Sequence, residues 1–382
     1  MPLCTDHTKK DTPRYTGKVK PRTDCEKCWD IYNSIPHAST QRERRALGSS
    51  AAPIEAPAPK RVVEALEQQL AAAQGALSLY DREWTSAPGW LNPEDAQERH
   101  GTLVVMLSDP HWGEVVDPRE MNDYNAYNLA IADGRMKRFF ERTILVARSY
   151  LAGVLYDGII LALGGDLVSG DIHEELTETN ECTTNESVEW AVPRLKAGLE
   201  TWAEEFGQVH VVSAPGNHGR RTAKPRHKKR SADNADTHIA RLLAGSFPEG
   251  GPITFNIPRS MDAEFVVYGR RFSVEHGDAF KGGDGQVGAY GPAKRGTMRK
   301  LTQAQAEGKP LDYLLVGHFH QYIPAASQQF VMNGSVKGYD EYARTWHFKP
   351  EPAQQALMVC TPEHGITVQA PVLVQSRSKE GW

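Results

Sequence analysis

From residue 101 onward, short apolar runs alternate with amphipathic segments, and that alternation leaves few folds open. Residues 102–107 (TLVVML), 158–165 (GIILALGG), 209–216 (VHVVSAPG) and 312–317 (DYLLVG) read as buried strands. Residues 264–277 (EFVVYGRRFSVEHG) read as two strands joined by a tight turn at Gly269-Arg270. Shorter β-like runs follow near 328–334, 355–360 and 366–374. Residues 125–150 place Leu129, Ala132, Met136, Phe139, Phe140 and Ala147 on one helical face. Residues 188–206 are also helical in pattern, and Pro193 must start or kink that helix. Strands separated by helices specify an α/β core.

The residues just past each strand carry the chemistry. TLVVMLS is followed by Asp109 and His111, GIILALGG by Asp166, VHVVSAPG by Asn217 and His218, FSVE by His276, and DYLLVG by His318 and His320. The carboxyl ends of strands in α/β sheets are where loops converge on one crevice. One Asp after a strand is ordinarily a helix cap, and one His a satisfied polar group. Five such ends in glycine-flanked turns fit a single site better, with Gly164, Gly165, Gly216, Gly277 and Gly317 leaving room for an ion. Imidazole and carboxylate suit Zn, Fe or Mn. Asp109, His111, Asp166, Asn217, His276, His318 and His320 give two metals four ligands each if Asp166 bridges them. Two carboxylates against two divalent ions leave surplus positive charge for a phosphate and a shared water, as in dinuclear phosphoesterases.

The ordered series Asp-x-His, Gly-Asp, Gly-Asn-His, His-Gly and Gly-His-x-His, over residues 109–320, closely resembles the calcineurin-like metallophosphoesterase superfamily. The resemblance implies a four-layer α/β/β/α sandwich. It also implies that Asp109, His111, Asp166 and His320 hold one metal, and Asp166, Asn217, His276 and His318 the other. Mn²⁺ is the metal expected, with Fe or Zn as alternatives. His218 would then stabilise the pentacovalent phosphorus or protonate the leaving oxygen, while a metal-bridging hydroxide attacks in line. Such proton transfer suits imidazole, whose ordinary titration range lies near neutral pH. Gly219 stands where the family commonly has Asp or Glu, which removes one expected support for His218. Asp171, His173 and Glu174, just past Asp166, are either groups beside the metals or helix-capping loop residues.

Directly after His218 come Arg220, Arg221, Lys224, Arg226, Lys228, Lys229 and Arg230. A charge run is ordinarily a solvated face, but this one leaves the active-site turn itself and suits a polyanion backbone. Pro225 argues for a loop there. Residues 280–296 are Gly-rich and read as a second loop, with Lys281, Lys294 and Arg295 available to phosphates.

Cys4, His7, Cys25 and Cys28 match zinc-ribbon spacing, a small module at 1–36 held by structural Zn²⁺ among basic residues. Cys182 and Cys360 read as ordinary thiols. Residues 37–60 are an Ala/Ser/Pro linker, 61–98 a helical segment, and 99–375 the catalytic domain. Val63, Leu66, Leu70, Ala73, Leu77 and Tyr80 form a narrow seam that could support a homodimer or pack on its own domain. With five cysteines, no apolar N-terminal stretch and no long apolar run, a cytoplasmic protein is expected, in the host cytoplasm if phage-encoded, with no membrane partner. A net charge of −4 confines any nucleic-acid contact to a local patch.

The expected function is hydrolysis of phosphodiesters by a dinuclear metal site, as a DNA nuclease. The basic arm and zinc module point to the DNA-repair exonuclease and bacteriophage phosphoesterase branch. The rivals are a phosphomonoesterase or cyclic-nucleotide phosphodiesterase, and a non-catalytic nucleic-acid-binding protein with a degenerate metal site.

Overall fold

The computed structural model describes residues 63–64, 67–71, 99–281 and 288–381. The chain divides into two units, Met1–Glu94 and Asp95–Trp382. In the first, 63–64 and 67–71 are helical, and Val63 and Leu70 of the expected seam are exposed. The N-terminal zinc ligands, the linker and the rest of that seam lie outside the described residues.

In the second unit the elements follow in the order β1 (His100–Leu107), α1 (Leu129–Leu145), β2 (Leu155–Leu163), α2 (Glu174–Thr179), α3 (Thr184–Phe206) and β3 (Val209–Ser213). Next come α4 (Ala235–Gly245), β4 (Ile253–Asn256), β5 (Asp262–Val267), β6 (Arg270–Glu275) and α5 (Tyr290–Ala306). β7 (Tyr313–Val316), β8 (Ile323–Ala325), β9 (Phe330–Met332), α6 (Glu341–Thr345), β10 (Gln354–Thr361), β11 (Gly365–Leu373) and α7 (Arg377–Glu380) complete it.

Two sheets result, in the orders β11-β10-β1-β2-β3-β4 and β5-β6-β7-β9-β8. β1 to β4 run parallel, as do β6, β7 and β9, so their carboxyl ends lie on common edges. Side chains alternate across a strand, and both faces are buried here. Leu103, Val105 and Leu107 of β1 join the core beneath the helices, while Val104 and Met106 join the core between the sheets. From the second sheet, Phe272, Val274, Leu315 and Val331 enter that same inter-sheet core. Leu314, Val316, Phe330 and Met332 face the other way, against Ala293 of α5. The layering is therefore α/β/β/α, as expected.

Local chemistry explains the helices. α1 starts at Asn128, whose side chain accepts from Ile131 N–H. A capping box of Thr183 and Glu186 starts α3 four residues before the expected position, so Pro193 lies inside the helix rather than at its start. Gly198 lets α3 close on α1, since a Cβ there would lie 2.2 Å from the Phe140 ring. The hairpin turn is shifted by one residue from expectation: Tyr268 and Gly269 both take positive φ, and Val267 pairs with Arg270. The Gly-rich segment is not all loop, because Tyr290 to Gly296 begin α5. Pro292 is tolerated in a first turn, where its missing N–H is not needed, and Gly296 makes room for the Phe280 ring. Among the described residues no helix is long and apolar enough to cross a membrane.

Candidate metal centre

The loops that leave β1, β2, β3, β6 and β7 meet. Donor atoms of Asp109, His111 and His320 lie within 4.8 Å of one another, as do those of His111, Asp166 and His218, and those of Asp166, His276 and His318. His111 and Asp166 each belong to two sets, so the three form one continuous cluster. His111 Nε2 is 3.2 Å from His320 Nε2, and His320 Nε2 is 3.4 Å from Asp109 Oδ1. His276 Nε2 is 2.8 Å from Asp166 Oδ2, which is 4.0 Å from both His111 Nε2 and His218 Nε2.

The backbone is bent to achieve this. Asp109, His111, Asp166, His318 and His320 have φ of 57°, 47°, 49°, 68° and 53°. Such left-handed conformations cost about 1–3 kcal/mol each in side-chain-bearing residues and persist only where surroundings fix them. Here the fixing contacts are visible. His318 N–H donates to both Asp109 oxygens at 3.0 and 3.1 Å, and His218 N–H donates to Asp166 Oδ1 at 2.7 Å. Gly216 runs so close to Asp166 that a Cβ on it would lie 2.1 Å from Oδ1. Gly165, at φ 86°, would strike Gly216 N at 2.4 Å if it carried one.

The donor set is arranged for cations. His276 Nδ1 lies 2.8 Å from the Gly164 carbonyl, to which it donates. That leaves Nε2 as a lone pair facing a carboxylate oxygen 2.8 Å away, and Nε2 has no hydrogen-bond partner. Two acceptors so placed need a proton or a cation between them. Burial alone would lower the His276 pKa, but Asp166 outweighs it and pushes the imidazole up to about 10. His111 Nε2 and His320 Nε2 also face each other at 3.2 Å. Tetrahedral ligands at ~2.0–2.1 Å sit roughly 3.3–3.4 Å apart, close to their separation. Asn217 Oδ1 is buried and also unpartnered. Mixed imidazole, carboxylate and amide oxygen donors suit a divalent transition metal, so the residues fit the expected group.

His218 has its own support. Its Nδ1 lies 2.7 Å from the Ser169 carbonyl, which leaves Nε2 facing Asp166. The carboxylate missing at Gly219 is not needed to orient the ring. Gly219 instead makes room for Asn234 and Asp236: a Cβ there would lie 2.4 Å from Asn234 Oδ1. The wholly buried Asp236 accepts from Asp166 N–H at 3.0 Å, Leu167 N–H at 3.0 Å and Gly216 N–H at 2.8 Å, clamping two site loops together. Burial, with Asp166 adding to it, pushes the Asp236 pKa up to about 6.

A second buried group was also unforeseen. Glu114 lies 3.3 Å from His111 Nδ1 and 2.6 Å from Lys337 Nζ, and Lys337 reaches Asp340 at 2.6 Å. Burial raises the Glu114 pKa, but Lys337 and His111 outweigh it and keep the carboxylate ionised. Burial and Lys337 push His111 down to about 4, the neutral form a ligand needs. Beneath Asp109, Asn333 donates to Ser108 Oγ and Gln355 Oε1, each at 2.8 Å. The position of Glu114, three residues after His111, was a usable signal. Asp236, Lys337 and Asn333 give none, because their contacts are long-range.

The basic arm has ordered roles. Gly216, Asn217, Arg226, Lys228 and Lys229 line one cavity of about 180 Å³, so the arm adjoins the cluster. Three of its cations are engaged within the protein. The Arg220 guanidinium donates to the Asn217, Thr222 and Ala223 carbonyls, and Arg230 pairs with Asp278. Arg221 lies 3.7 Å from Asp233, while Lys224 is exposed. The His173 ring is tilted at 59° to that of His218, with centroids 5.6 Å apart, and Asp171 and Glu174 are exposed. Lys294 reaches the Gln328 carbonyl at 3.4 Å; Lys281 is exposed.

No family model matches the chain, and no curated protein matches it. Among solved structures, a conserved protein of Streptococcus pneumoniae described as a predicted phosphoesterase is similar at 12% identity, over 71% of this chain and 97% of that one, with a TM-score of 0.24. Vacuolar Protein Sorting 29 from Cryptosporidium parvum gives 12% identity, 71% and 97% coverage and a TM-score of 0.29. The zinc complex of its Entamoeba histolytica counterpart gives 11%, 72%, 99% and 0.24.

Proposed function

We propose that this chain is a metal-dependent phosphodiester hydrolase of the calcineurin-like metallophosphoesterase superfamily, acting on nucleic acid and on DNA in particular. The observation that carries the reading is the convergence of Asp109, His111, Asp166, His276, His318 and His320 beside a cavity lined by Arg226, Lys228 and Lys229. Asp109, His111, Asp166 and His320 would hold one divalent cation, and Asp166, Asn217, His276 and His318 the other. When bound, such cations supply positive charge for the phosphoryl oxygens and acidify water. The protein supplies the rest. Gly164 and Ser169 carbonyls fix the rings of His276 and His218. His218 Nε2 is placed to hand a proton to the departing oxygen. The cations of the arm draw in the phosphate backbone and hold it over the cluster.

The test is hydrolysis by the purified chain with Mn²⁺ of single-stranded DNA, duplex DNA, RNA and an aryl phosphodiester, at about 50 and 200 mM salt. DNA cleavage that falls steeply with salt supports the reading. Turnover of the aryl diester alone, indifferent to salt, would replace it with a small-molecule phosphodiesterase. Absence of all turnover would contradict it.

A further inference from the structure

α6 and the turn after it carry three large rings in water. Tyr342, Trp346 and Phe348 are 66%, 62% and 47% exposed. Trp112 and Trp202 are wholly buried, and among the described residues no other tryptophan is exposed. The rings stand close, with centroids 6.3 Å apart for Tyr342 and Trp346 and 6.2 Å for Tyr342 and Phe348. Their backbone is fixed: Trp346 N–H donates to the Tyr342 carbonyl at 3.1 Å and Phe348 N–H to the Ala343 carbonyl at 2.9 Å. Ordered rings of this kind lose little entropy when something stacks on them. Isolated exposed apolar side chains need no explanation, but a rimmed cluster marks a binding surface.

Both ends of the segment are tied to the metal cluster. At one end Asp340, which caps α6, is linked through Lys337 and Glu114 to His111. At the other, Glu351 accepts from the N–H of Tyr322, two residues past His320. α6 itself has only five residues, about 7.5 Å of helix. Arg344, His347 and Lys349 are interleaved with them. The acids of the segment point elsewhere, Glu341 to Asp117 N–H and Glu351 to Tyr322 N–H. The exposed part of the segment thus combines the three rings with His347 and Lys349.

That combination recognises unpaired bases on a phosphate backbone, since rings stack on any base and cations follow the strand. A duplex keeps its bases stacked on each other and offers them no free face. The geometry points to a stacking platform for single-stranded nucleic acid at Tyr342, Trp346 and Phe348, feeding the candidate metal centre. The inference rests on the function proposed above and narrows its substrate to an unpaired strand.

Binding tests it apart from catalysis. The full-length chain is titrated, by fluorescence anisotropy, into a labelled phosphorothioate oligo(dT) of about 12 nucleotides, within the usual ~4–16 nucleotide footprint. A duplex of the same length is the comparison. Trp346→Ala is expected to weaken oligo(dT) binding about tenfold and to leave duplex binding within about twofold. Trp346→Phe, which keeps a ring, is expected to recover most of the loss. Equal affinity of Trp346→Ala and the parent chain for oligo(dT) would overturn the platform. So would equal loss on strand and duplex, absence of strand binding, or a change of oligomeric state with affinity intact, which would give the face to a second copy. A ring-dependent preference for the strand in a chain that hydrolyses nothing would leave the platform standing and defeat the hydrolase reading alone.

Discussion

The Glu114 carboxylate lies 3.3 Å from Nδ1 of His111, inside the protein, with the other nitrogen of the ring turned to the cluster. A carboxylate behind a metal-binding imidazole fixes its orientation and raises its basicity. Glu114→Gln is therefore expected to weaken divalent-metal binding about 10–100-fold, read by calorimetric titration with Mn²⁺. Unchanged affinity would remove Glu114 from the site.

Asp236 performs its work on backbone. Replacing it by Ala leaves the N–H groups of Asp166, Leu167 and Gly216 unpaired in the interior. At ~1–3 kcal/mol for each unsatisfied group, a loss of at least about 3 kcal/mol is expected. Thermal unfolding should fall by roughly 6–12 °C. Restoring an acid at Gly219 by Gly219→Glu should also destabilise rather than help, because its Cβ would meet Asn234 Oδ1.

His218 is the group placed to move a proton, and its ring is held by Ser169 rather than by a metal-dependent contact. His218→Ala is expected to lower turnover about 10²–10⁴-fold while metal content, read by elemental analysis, stays at the parent value. Loss of metal together with activity would make His218 a ligand instead.

The arm separates into working and structural cations. Lys228→Ala and Lys229→Ala should each reduce the slope of log affinity for DNA against log salt by about 1. Arg220→Ala should act on stability instead, since it removes the hydrogen bonds that tie the Asn217, Thr222 and Ala223 carbonyls together. Salt slopes and melting curves on the same variants tell the two apart.

The strands and the convergence of the residues that end them were legible because each is written locally: a run such as TLVVML buries both faces, and a polar residue must end it. The four-layer arrangement came from the family resemblance, and the alternation of Val104 and Met106 against Leu103, Val105 and Leu107 shows its physical basis. Three things were not legible. Tyr290–Gly296 looked like loop because Gly and Pro dominate it, yet packing against Phe280 overrides propensity. Arg220 and Arg230 looked like free cations because their partners are carbonyls and an aspartate invisible to a charge count. Asp236 and Lys337 gave no sign at all, since Asp166 and Glu114 are 70 and 223 residues away.

The most direct measurement is a crystal of the full chain grown with Mn²⁺ and recorded at a wavelength where manganese scatters anomalously. Two peaks are expected, one among Asp109, His111 and His320 and one among Asp166, Asn217, His276 and His318, with Asp166 touching both. A map with no peak between these side chains, in crystals shown to contain the ion, would contradict the dinuclear site.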